Sequence, residues 1–177
     1  MLQAGTNKYI VNKAYQNMVY GLIDGRKTLT PDGLELLHIR QSQLGKGAEI
    51  SVMGFEKQRL REFPNISNEI EYVAEVNVNA GYDILSFTIL SDGKRIKRYI
   101  EVKAVSNENF KFYWTRNEIE TAKKYGKGYH LYLVPIIGTN NYDLDNMEII
   151  NDPCEKLFEK ESKWTSLVEE YSIWKKN

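Results

Sequence analysis

Hydrophobic and polar positions in the middle of the chain predict an alternation of helices and strands. The expected elements are a helix at about 47–61, strands at about 71–78, 82–90 and 95–105, a helix at 115–125 and a buried strand from 129. Helical spacing of apolar residues identifies the helices, and runs of β-branched and aromatic residues identify the strands. This order predicts an α/β fold in which helices cover both faces of a mixed central sheet.

The two ends of the chain are expected to add helices to this core, which we place at residues 44–150. Residues 1–43 form a helical N-terminal extension, in which Thr30 is the predicted N-cap of a helix and Pro31 lies in its first turn. The stretch TPDGLELL at 30–37 also resembles the end of a winged-helix domain, so a winged-helix remnant is an alternative to a plain extension. A break at 45–47, with the sequence GKG, is expected to end this region.

Residues 151–177 are predicted to form a C-terminal helical segment that packs on the core. Asp152 and Pro153 are typical of a helix start. Apolar residues follow at helical spacing, namely Leu157, Trp164, Leu167, Val168, Tyr171 and Trp174. A partner interface is the alternative, since Trp and Tyr often anchor interfaces.

The turn between the second and third strands determines which residues face each other. The sequence LSDGK at 90–94 is typical of a three-residue hairpin loop with Gly93 in the left-handed region. Such a loop pairs the first and last residues of this stretch, and therefore places Asp83 opposite Glu101, with Lys103 on the same face. A two-residue loop would shift the register by one and move Glu101 to the other face.

Asp83, Glu101 and Lys103 are therefore candidates for a metal site. Two carboxylates can hold a divalent cation beside an ammonium group, a combination that metal-dependent phosphodiester hydrolysis needs. The alternative is that Glu101 and Lys103 lie on the solvated face of an alternating strand. Glu49, on a partly apolar stripe of the first helix, either binds a cation or caps the start of that helix.

Composition narrows the class of protein. The chain has 177 residues, with Lys+Arg and Asp+Glu balanced at 24 each, so no overall field draws it onto nucleic acid. Three local basic clusters either contact phosphates or form solvated surfaces: Lys94, Arg95, Lys97 and Arg98; Lys57, Arg59 and Arg61; and Arg116, Lys123, Lys124 and Lys127.

Other kinds of site are disfavoured. Cys154 is the single cysteine, which excludes a disulfide framework and indicates a reducing compartment. His38 and His130 are the two histidines, and this small number argues against a Cys-His nucleophile or a thiolate zinc site. His130 is expected to be a core residue whose polar groups are hydrogen-bonded. We see no apolar run of membrane length and no signal-peptide pattern, so we expect a cytoplasmic protein without a membrane partner.

Four stretches in order resemble a known family. They are GAE at 47–49 running into FEKQRL at 55–60, GYDI at 81–84, YIEVK at 99–103, and WTRNE at 114–118 running into YHLY at 129–132. Together they resemble the PD-(D/E)XK nuclease superfamily. More narrowly, they resemble the domain found at the C-terminus of NO VEIN proteins and in bacterial restriction and defence proteins. The resemblance covers roughly residues 44 to 137.

This resemblance implies a restriction-endonuclease-like core and a divalent-metal-dependent endonuclease that cuts DNA. Asp83 and Glu101 would bind Mg²⁺ or Mn²⁺, together with the carbonyl of Val102. Lys103 would orient the attacking water and help deprotonate it, or offset charge in the transition state. Glu49 would complete the site directly or through water.

Some points stay open in this interpretation. Ala48 stands where the branch often has a second acidic residue, so the site holds one ion or two. Asn117 and Glu118 match the branch pattern, although a capping box begun by Thr115 explains Glu118 equally well. The expected partners are DNA and either a second copy of the chain or other parts of a larger defence protein, with RNA left open as the substrate.

Two alternatives to an active nuclease remain. A catalytically weak relative would act as a nucleic-acid-binding or protein-interaction module. A purely structural domain would leave the three groups splayed or salt-bridged on an open surface.

Overall fold

A computed structural model of the chain describes residues 31–108, 110–159 and 162–166. Within these ranges the helices are α1 (Pro31–Arg59), α2 (Pro64–Ser67), α3 (Arg116–Tyr125) and α4 (Pro153–Phe158). The strands are β1 (Glu71–Tyr72), β2 (Ile84–Ile89), β3 (Arg95–Ser106), β4 (Tyr129–Gly138), β5 (Asn141–Tyr142) and β6 (Glu148–Asn151). Short 3₁₀ turns occupy Val73–Glu75 and Gly126–Gly128. The predicted order of helices and strands in the core is confirmed.

The strands form one mixed sheet. Strands β1 to β4 lie side by side in chain order, and β5 and β6 both pair with β4. Strands β3 and β4 are parallel and are joined through α3, whereas the other pairs are antiparallel. A parallel pair requires such a crossover connection, so α3 covers one face of the sheet. The predicted α/β class with a mixed, helix-flanked sheet is therefore confirmed.

The β2–β3 hairpin has the predicted three-residue loop. Gly93 adopts a φ of 80°, which is the left-handed conformation that the loop requires. Its amide donates to the Leu90 carbonyl at 2.9 Å, and the Leu90 amide donates to the Lys94 carbonyl at 2.8 Å. These bonds close the loop with Leu90 and Lys94 as its flanking pair.

This loop sets the register of the whole hairpin. The β2–β3 ladder pairs Ile84 with Ile100 without a bulge. The ladder ends at this pair, and the Asp83 amide donates to the Ile100 carbonyl at 2.8 Å, so the pairing of Asp83 directly opposite Glu101 stays a prediction. Lys103 lies two residues after Glu101 and hence on the same face of β3.

Alternate residues of β3 face two separate cores. One core lies under α1 and includes Ala48, Val52, Ile84, Ile100, Val102, Tyr132 and Val134. The other lies against α4 and the segment before α3, and includes Val105, Leu131, Leu133, Ile150 and Leu157. By the alternation of side chains along a strand, Glu101 and Lys103 share the face of Val105. The acid and the lysine therefore point away from α1.

The predicted strand at 71–78 is wrong beyond its first two residues. After Tyr72 the chain enters a 3₁₀ turn, because the amides of Val73 and Ala74 both donate to the Asp83 carbonyl, at 2.8 and 3.0 Å. These bonds replace the ladder bonds that a longer strand would make. Val76 and Val78, which suggested a strand from sequence, lie in an exposed loop.

The predicted break at 45–47 is also wrong, because α1 continues through it to Arg59. Gly47 permits a close approach: a Cβ there would clash with the Tyr142 hydroxyl group, which donates to the Leu44 carbonyl at 2.9 Å. The glycine thus accommodates a neighbouring side chain and does not end the helix. The expected boundary between residues 43 and 44 falls inside α1, and the predicted N-cap Thr30 lies outside the described residues.

The C-terminal prediction is confirmed at its start. Helix α4 begins at Pro153 directly after Asp152 and ends at Phe158. Leu157 is buried, and Trp164 packs against the same core. The predicted helix is wrong at residues 162–166, which contain no helix, because the Ser162 hydroxyl group accepts the Trp164 amide at 3.2 Å in place of a helical hydrogen bond. The predicted apolar positions from 167 to 174 lie outside the described residues.

Candidate metal centre

Asp83 lies directly before β2, and hydrogen bonds fix both its backbone and its side chain. Its amide donates to the Ile100 carbonyl at 2.8 Å, and its carbonyl accepts from Val73 and Ala74. Its carboxylate oxygen Oδ2 accepts the amide of Val102 at 2.8 Å. The side chain is therefore fixed against β3 through Oδ2.

Val102 contacts the site through a different group from the one expected. The resemblance implies that its carbonyl binds the metal, whereas the structure shows its amide bound to Asp83. This amide bond favours the charged form of the Asp83 carboxylate. The carbonyl as a ligand stays a prediction.

Glu101 and Lys103 do not lie on a solvated face. Glu101 is only 4% exposed, and Lys103 Nζ lies 2.7 Å from Glu101 Oε1. Lys103 Nζ also donates to Glu118 Oε2 at 2.8 Å. The ammonium therefore bridges a carboxylate on β3 and a carboxylate on α3.

Glu118 has two roles, and its capping role was predicted. The Thr115 hydroxyl group accepts the Glu118 amide, and Glu118 Oε2 accepts the Thr115 amide at 3.0 Å, which completes the capping box. The same oxygen binds Lys103. The sequence indicated the cap and the match to the branch pattern, but the contact with Lys103 had no local signal.

Glu49 lies well inside α1, so the alternative that it caps the start of its helix is wrong. The Tyr72 hydroxyl group donates to Glu49 Oε2 at 2.5 Å. Burial and the charge of Glu49 raise the pKa of Tyr72, so its hydroxyl group stays a donor at neutral pH. Tyr72 is thus a residue of the candidate site that sequence reasoning missed, because it was assigned to an ordinary strand.

Burial and neighbouring negative charges disfavour the charged forms of Asp83 and Glu101. Burial, followed by the negative charge of Glu49, raises the pKa of Asp83 to about 7. Burial also raises the pKa of Glu101 well above its usual value; Asp83 and Glu118 add to this effect, and Lys103 opposes it. Asp83 therefore interacts with Glu49 on one side and with Glu101 on the other, and a cation between these groups would relieve the repulsion.

The pKa of Lys103 shifts in the direction that favours its charged form. Burial alone would lower its pKa, but the negative charges of Glu101 and Glu118 outweigh burial and raise it. Lys103 is therefore an ammonium group at neutral pH.

These residues fit a hard divalent cation only in part. Their donors are carboxylate oxygens, which suit Mg²⁺ and Mn²⁺. Among the described residues, however, no group of three or more His, Cys, Asp or Glu is arranged to hold a metal ion. Binding of an ion by Asp83 and Glu101, with Glu49 acting through water, therefore stays a prediction.

A second polar cluster, the Glu56 cluster, lies under α1 on the other face of the sheet. Glu56 is fully buried and accepts from Arg59 at 2.9 and 2.6 Å, from Ser86 at 2.6 Å and from Tyr132 at 2.7 Å. Arg98 lies 3.5 Å from the same carboxylate. Two members of the predicted basic clusters, Arg59 and Arg98, therefore face the interior and do not offer a phosphate contact.

The other basic residues are on the surface. Ion pairs join Lys94 to Asp92, Arg95 to Glu69 and Arg116 to Glu120. The remaining members of the predicted clusters are exposed, namely Lys57, Arg61, Lys97, Lys123, Lys124 and Lys127.

His130 is a buried core residue, as predicted. Its Nδ1 lies 3.2 Å from the Gly128 carbonyl, and its Nε2 lies 3.2 Å from the Asn151 amide nitrogen. Burial, with a contribution from the charge of Arg98, lowers the pKa of His130 to about 4. The ring is therefore neutral at pH 7.

The fold and site together define an α/β protein with a largely buried cluster of acids and one lysine, built from the residue before β2, the middle of β3 and the start of α3. The family model described as "Protein NO VEIN, C-terminal" matches residues 48–146, which is more than half of the chain. The chain belongs to this family. The match includes every residue of the candidate site, from Glu49 to Glu118.

Comparison with curated proteins and comparison with solved structures gave no match. In the part of the chain that the structure describes, none of the helices combines the length and the apolar character that a membrane span requires.

Proposed function

We propose that this domain is a divalent-metal-dependent endonuclease that hydrolyses DNA phosphodiester bonds in a restriction or defence system. The observation that carries the proposal is the grouping of acids around one ammonium group: Asp83 and Lys103 both act on the pKa of Glu101, and the Lys103 ammonium group lies 2.7 Å from Glu101. The order of the motifs, which resembles the PD-(D/E)XK superfamily, supports the same reaction.

Each residue has a role in this proposal. Asp83 and Glu101 would hold Mg²⁺ or Mn²⁺ together with the Val102 carbonyl, and Glu49 would contribute directly or through water. The bound ion supplies Lewis acidity and makes water a stronger acid. Asp83 is held in place by the Val102 amide, and Glu49 is held by Tyr72.

Lys103 acts as a fixed positive charge in this site. Because its pKa is raised, it does not take a proton from water at neutral pH. Of the two roles that the resemblance implies, we therefore favour the one in which Lys103 offsets charge in the transition state.

A catalytically weak relative that binds nucleic acid is the second candidate function. Lys103 is held in two ion pairs, with Glu101 and Glu118, which restrict its motion toward a substrate. Among the described residues, no three or more His, Cys, Asp or Glu side chains are arranged to hold a metal ion, which also favours this alternative. DNA as the partner, and a second copy of the chain or other parts of a larger defence protein, remain proposals in both cases.

The test is cleavage of plasmid DNA and single-stranded DNA with Mg²⁺, Mn²⁺ or EDTA. We expect cleavage with either metal, none with EDTA, and none by the Asp83→Ala variant with either metal. Glu49→Ala should weaken the affinity for Mn²⁺ more than it lowers the rate at saturating Mn²⁺. Glu120→Ala, which removes an exposed carboxylate from α3, is the matched control and should cleave like the parent. An inactive parent protein that still binds DNA would favour the second candidate.

A further inference from the structure

Lys103 lies between two carboxylates that come from different elements of the fold. Its ammonium nitrogen Nζ is 2.7 Å from Glu101 Oε1 on β3 and 2.8 Å from Glu118 Oε2 on α3. The side chain of Lys103 is 17% exposed and that of Glu118 is 16% exposed, so this contact is screened less than a surface ion pair. The contact is therefore a partly buried link between the start of α3 and the middle of β3.

A single carboxylate would not fix the ammonium group in one place. A lysine side chain is long and flexible, and its ammonium group is a compact charge with rotatable donors. Contacts with two carboxylates on separate elements restrict this freedom more than a contact with one of them. Under the proposed function Glu101 shares its charge with a metal ion, so Glu118 is the carboxylate that is left to hold Lys103.

Glu118 is itself held in place, which a positioning role requires. Its Oε2 also accepts the Thr115 amide at 3.0 Å, and its own amide donates to the Thr115 hydroxyl group at 3.3 Å. Its neighbour Asn117 donates from Nδ2 to the Asn79 carbonyl at 3.2 Å, and Ala122, one turn later, is fully buried. The helix turn that carries Glu118 is therefore fixed by its cap, by a side-chain hydrogen bond and by burial.

We propose that Glu118 is a positioning residue that places the Lys103 ammonium group for the reaction. This inference rests on the proposed function, and it assigns to Glu118 a role beyond the capping box. The hydrogen bonds of its carboxylate go to Lys103 and to the Thr115 amide, so we expect Glu118 to act through Lys103. Because misplacing a group by about 1 Å can lower a rate by about 100-fold, the effect should appear in the chemical step.

The test uses Glu118→Gln, which keeps the shape of the side chain and an oxygen that can accept the Thr115 amide. Glutamine at this position also completes a capping box, so the start of α3 is retained. The negative charge that holds Lys103 is lost. We expect kcat for cleavage of plasmid DNA with Mn²⁺ to fall by about 10-fold to 100-fold, with KM for DNA nearly unchanged.

The double variant Glu118→Gln, Lys103→Ala shows whether Glu118 acts through Lys103. If Glu118 places the ammonium group, its substitution should lower the rate no further once that group is absent. The parent, the two single variants and the double variant are compared in single-turnover reactions. If Glu118→Gln lowered the rate of Lys103→Ala by the same factor as that of the parent, Glu118 would act independently and the inference would be wrong.

The matched control is Thr115→Ala, which removes the capping hydroxyl group and keeps the Thr115 amide and the Glu118 carboxylate. Loss of the N-cap should lower the thermal unfolding midpoint, while kcat should stay at the parent value. An equal loss of kcat in Thr115→Ala and Glu118→Gln would show that the cap is responsible, and it would overturn the positioning role.

A second measurement does not depend on cleavage. Urea unfolding in EDTA of the same four proteins, namely the parent, both single variants and the double variant, gives the coupling between Glu118 and Lys103. We expect this coupling to change the unfolding equilibrium constant by about 10-fold, which is the scale for residues in one ion-pair network. Additive effects of the two substitutions would show that Glu118 does not hold Lys103.

The outcomes separate this inference from the proposed function. If the parent cleaves DNA and Glu118→Gln cleaves at the parent rate, the positioning inference is wrong and the nuclease proposal stands. If no metal supports cleavage and the unfolding measurements show the coupling, the nuclease proposal fails and Glu118 still places Lys103. If cleavage is absent and the two substitutions are additive in unfolding, both are overturned.

Discussion

Removing the charge of Asp83 should stabilise the metal-free protein at alkaline pH. Asp83→Asn keeps an oxygen that can accept the Val102 amide, and it removes a carboxylate that burial and Glu49 disfavour. An ordinary surface aspartate would give little change. The sign of the effect therefore reports whether Asp83 is in a repulsive carboxylate cluster.

The size of the effect follows from the pKa of Asp83, which is about 7 in the folded protein against 3.8 for an ordinary aspartate. Between these two values the folded state binds more protons than the unfolded state, so the free energy of unfolding of the parent falls as pH rises. The full difference corresponds to at most about 4 kcal/mol. We expect the variant to be more stable than the parent by about 1–4 kcal/mol at pH 8.

The assay is urea unfolding at pH 5, 6, 7 and 8 in EDTA. The advantage of Asp83→Asn should grow by at most about 1.4 kcal/mol per pH unit up to pH 7, and then level off. Asp145→Asn, the same change at an exposed loop residue, is the control. Parallel curves for Asp83→Asn and the parent would refute the reasoning. Adding Mn²⁺ should stabilise the parent more than the variant, since the metal binds only the folded site.

Three further predictions concern rate and packing. Glu101→Ala should abolish metal-dependent cleavage, and Lys103→Ala should lower the cleavage rate by roughly 10²–10³-fold with metal affinity nearly unchanged. If Lys103→Ala cleaved DNA at the parent rate, a catalytic role for Lys103 would be excluded. Glu56→Ala should lower the free energy of unfolding by about 3–5 kcal/mol, because it removes the carboxylate that pairs with Arg59 and Arg98. A decrease below about 1 kcal/mol, measured by urea unfolding, would show that water replaces the hydrogen bonds of these arginines. Gly47→Ala should lower the free energy of unfolding by about 1–3 kcal/mol, because the added methyl group clashes with Tyr142. Gly54→Ala, whose methyl group meets nothing within 4 Å, should raise the free energy of unfolding by about 0.5–1 kcal/mol. Equal shifts in the thermal unfolding midpoint for the two variants would contradict this.

The parts of the fold that could be predicted depend on local chemistry. The glycine at position 93 specifies the hairpin loop, and the loop specifies the register of β2 and β3 as far as the pair of Ile84 and Ile100. Thr115 and Glu118 specify the start of α3 in the same way. These interactions join residues a few positions apart, so the sequence alone indicates them.

The parts that could not be predicted depend on partners distant in sequence. Gly47 looked like a break because its neighbour, Tyr142, comes from the far end of the sheet. The early end of β1 results from bonds to Asp83 that no local pattern marks. Arg98 looked like a surface cation until Glu56 was placed beside it.

Helix α1 joins three regions that differ in exposure. Its described side chains up to position 43 are exposed, Glu49 reaches the candidate site, and Glu56 is fixed under the sheet two turns later. Since one residue corresponds to about 100° of helical rotation, inserting or deleting a single residue between Glu49 and Glu56 would turn one of the two carboxylates away from its partners. The spacing of seven positions between them therefore constrains evolutionary change in length, whereas exposed positions before residue 44 are free to vary in sequence.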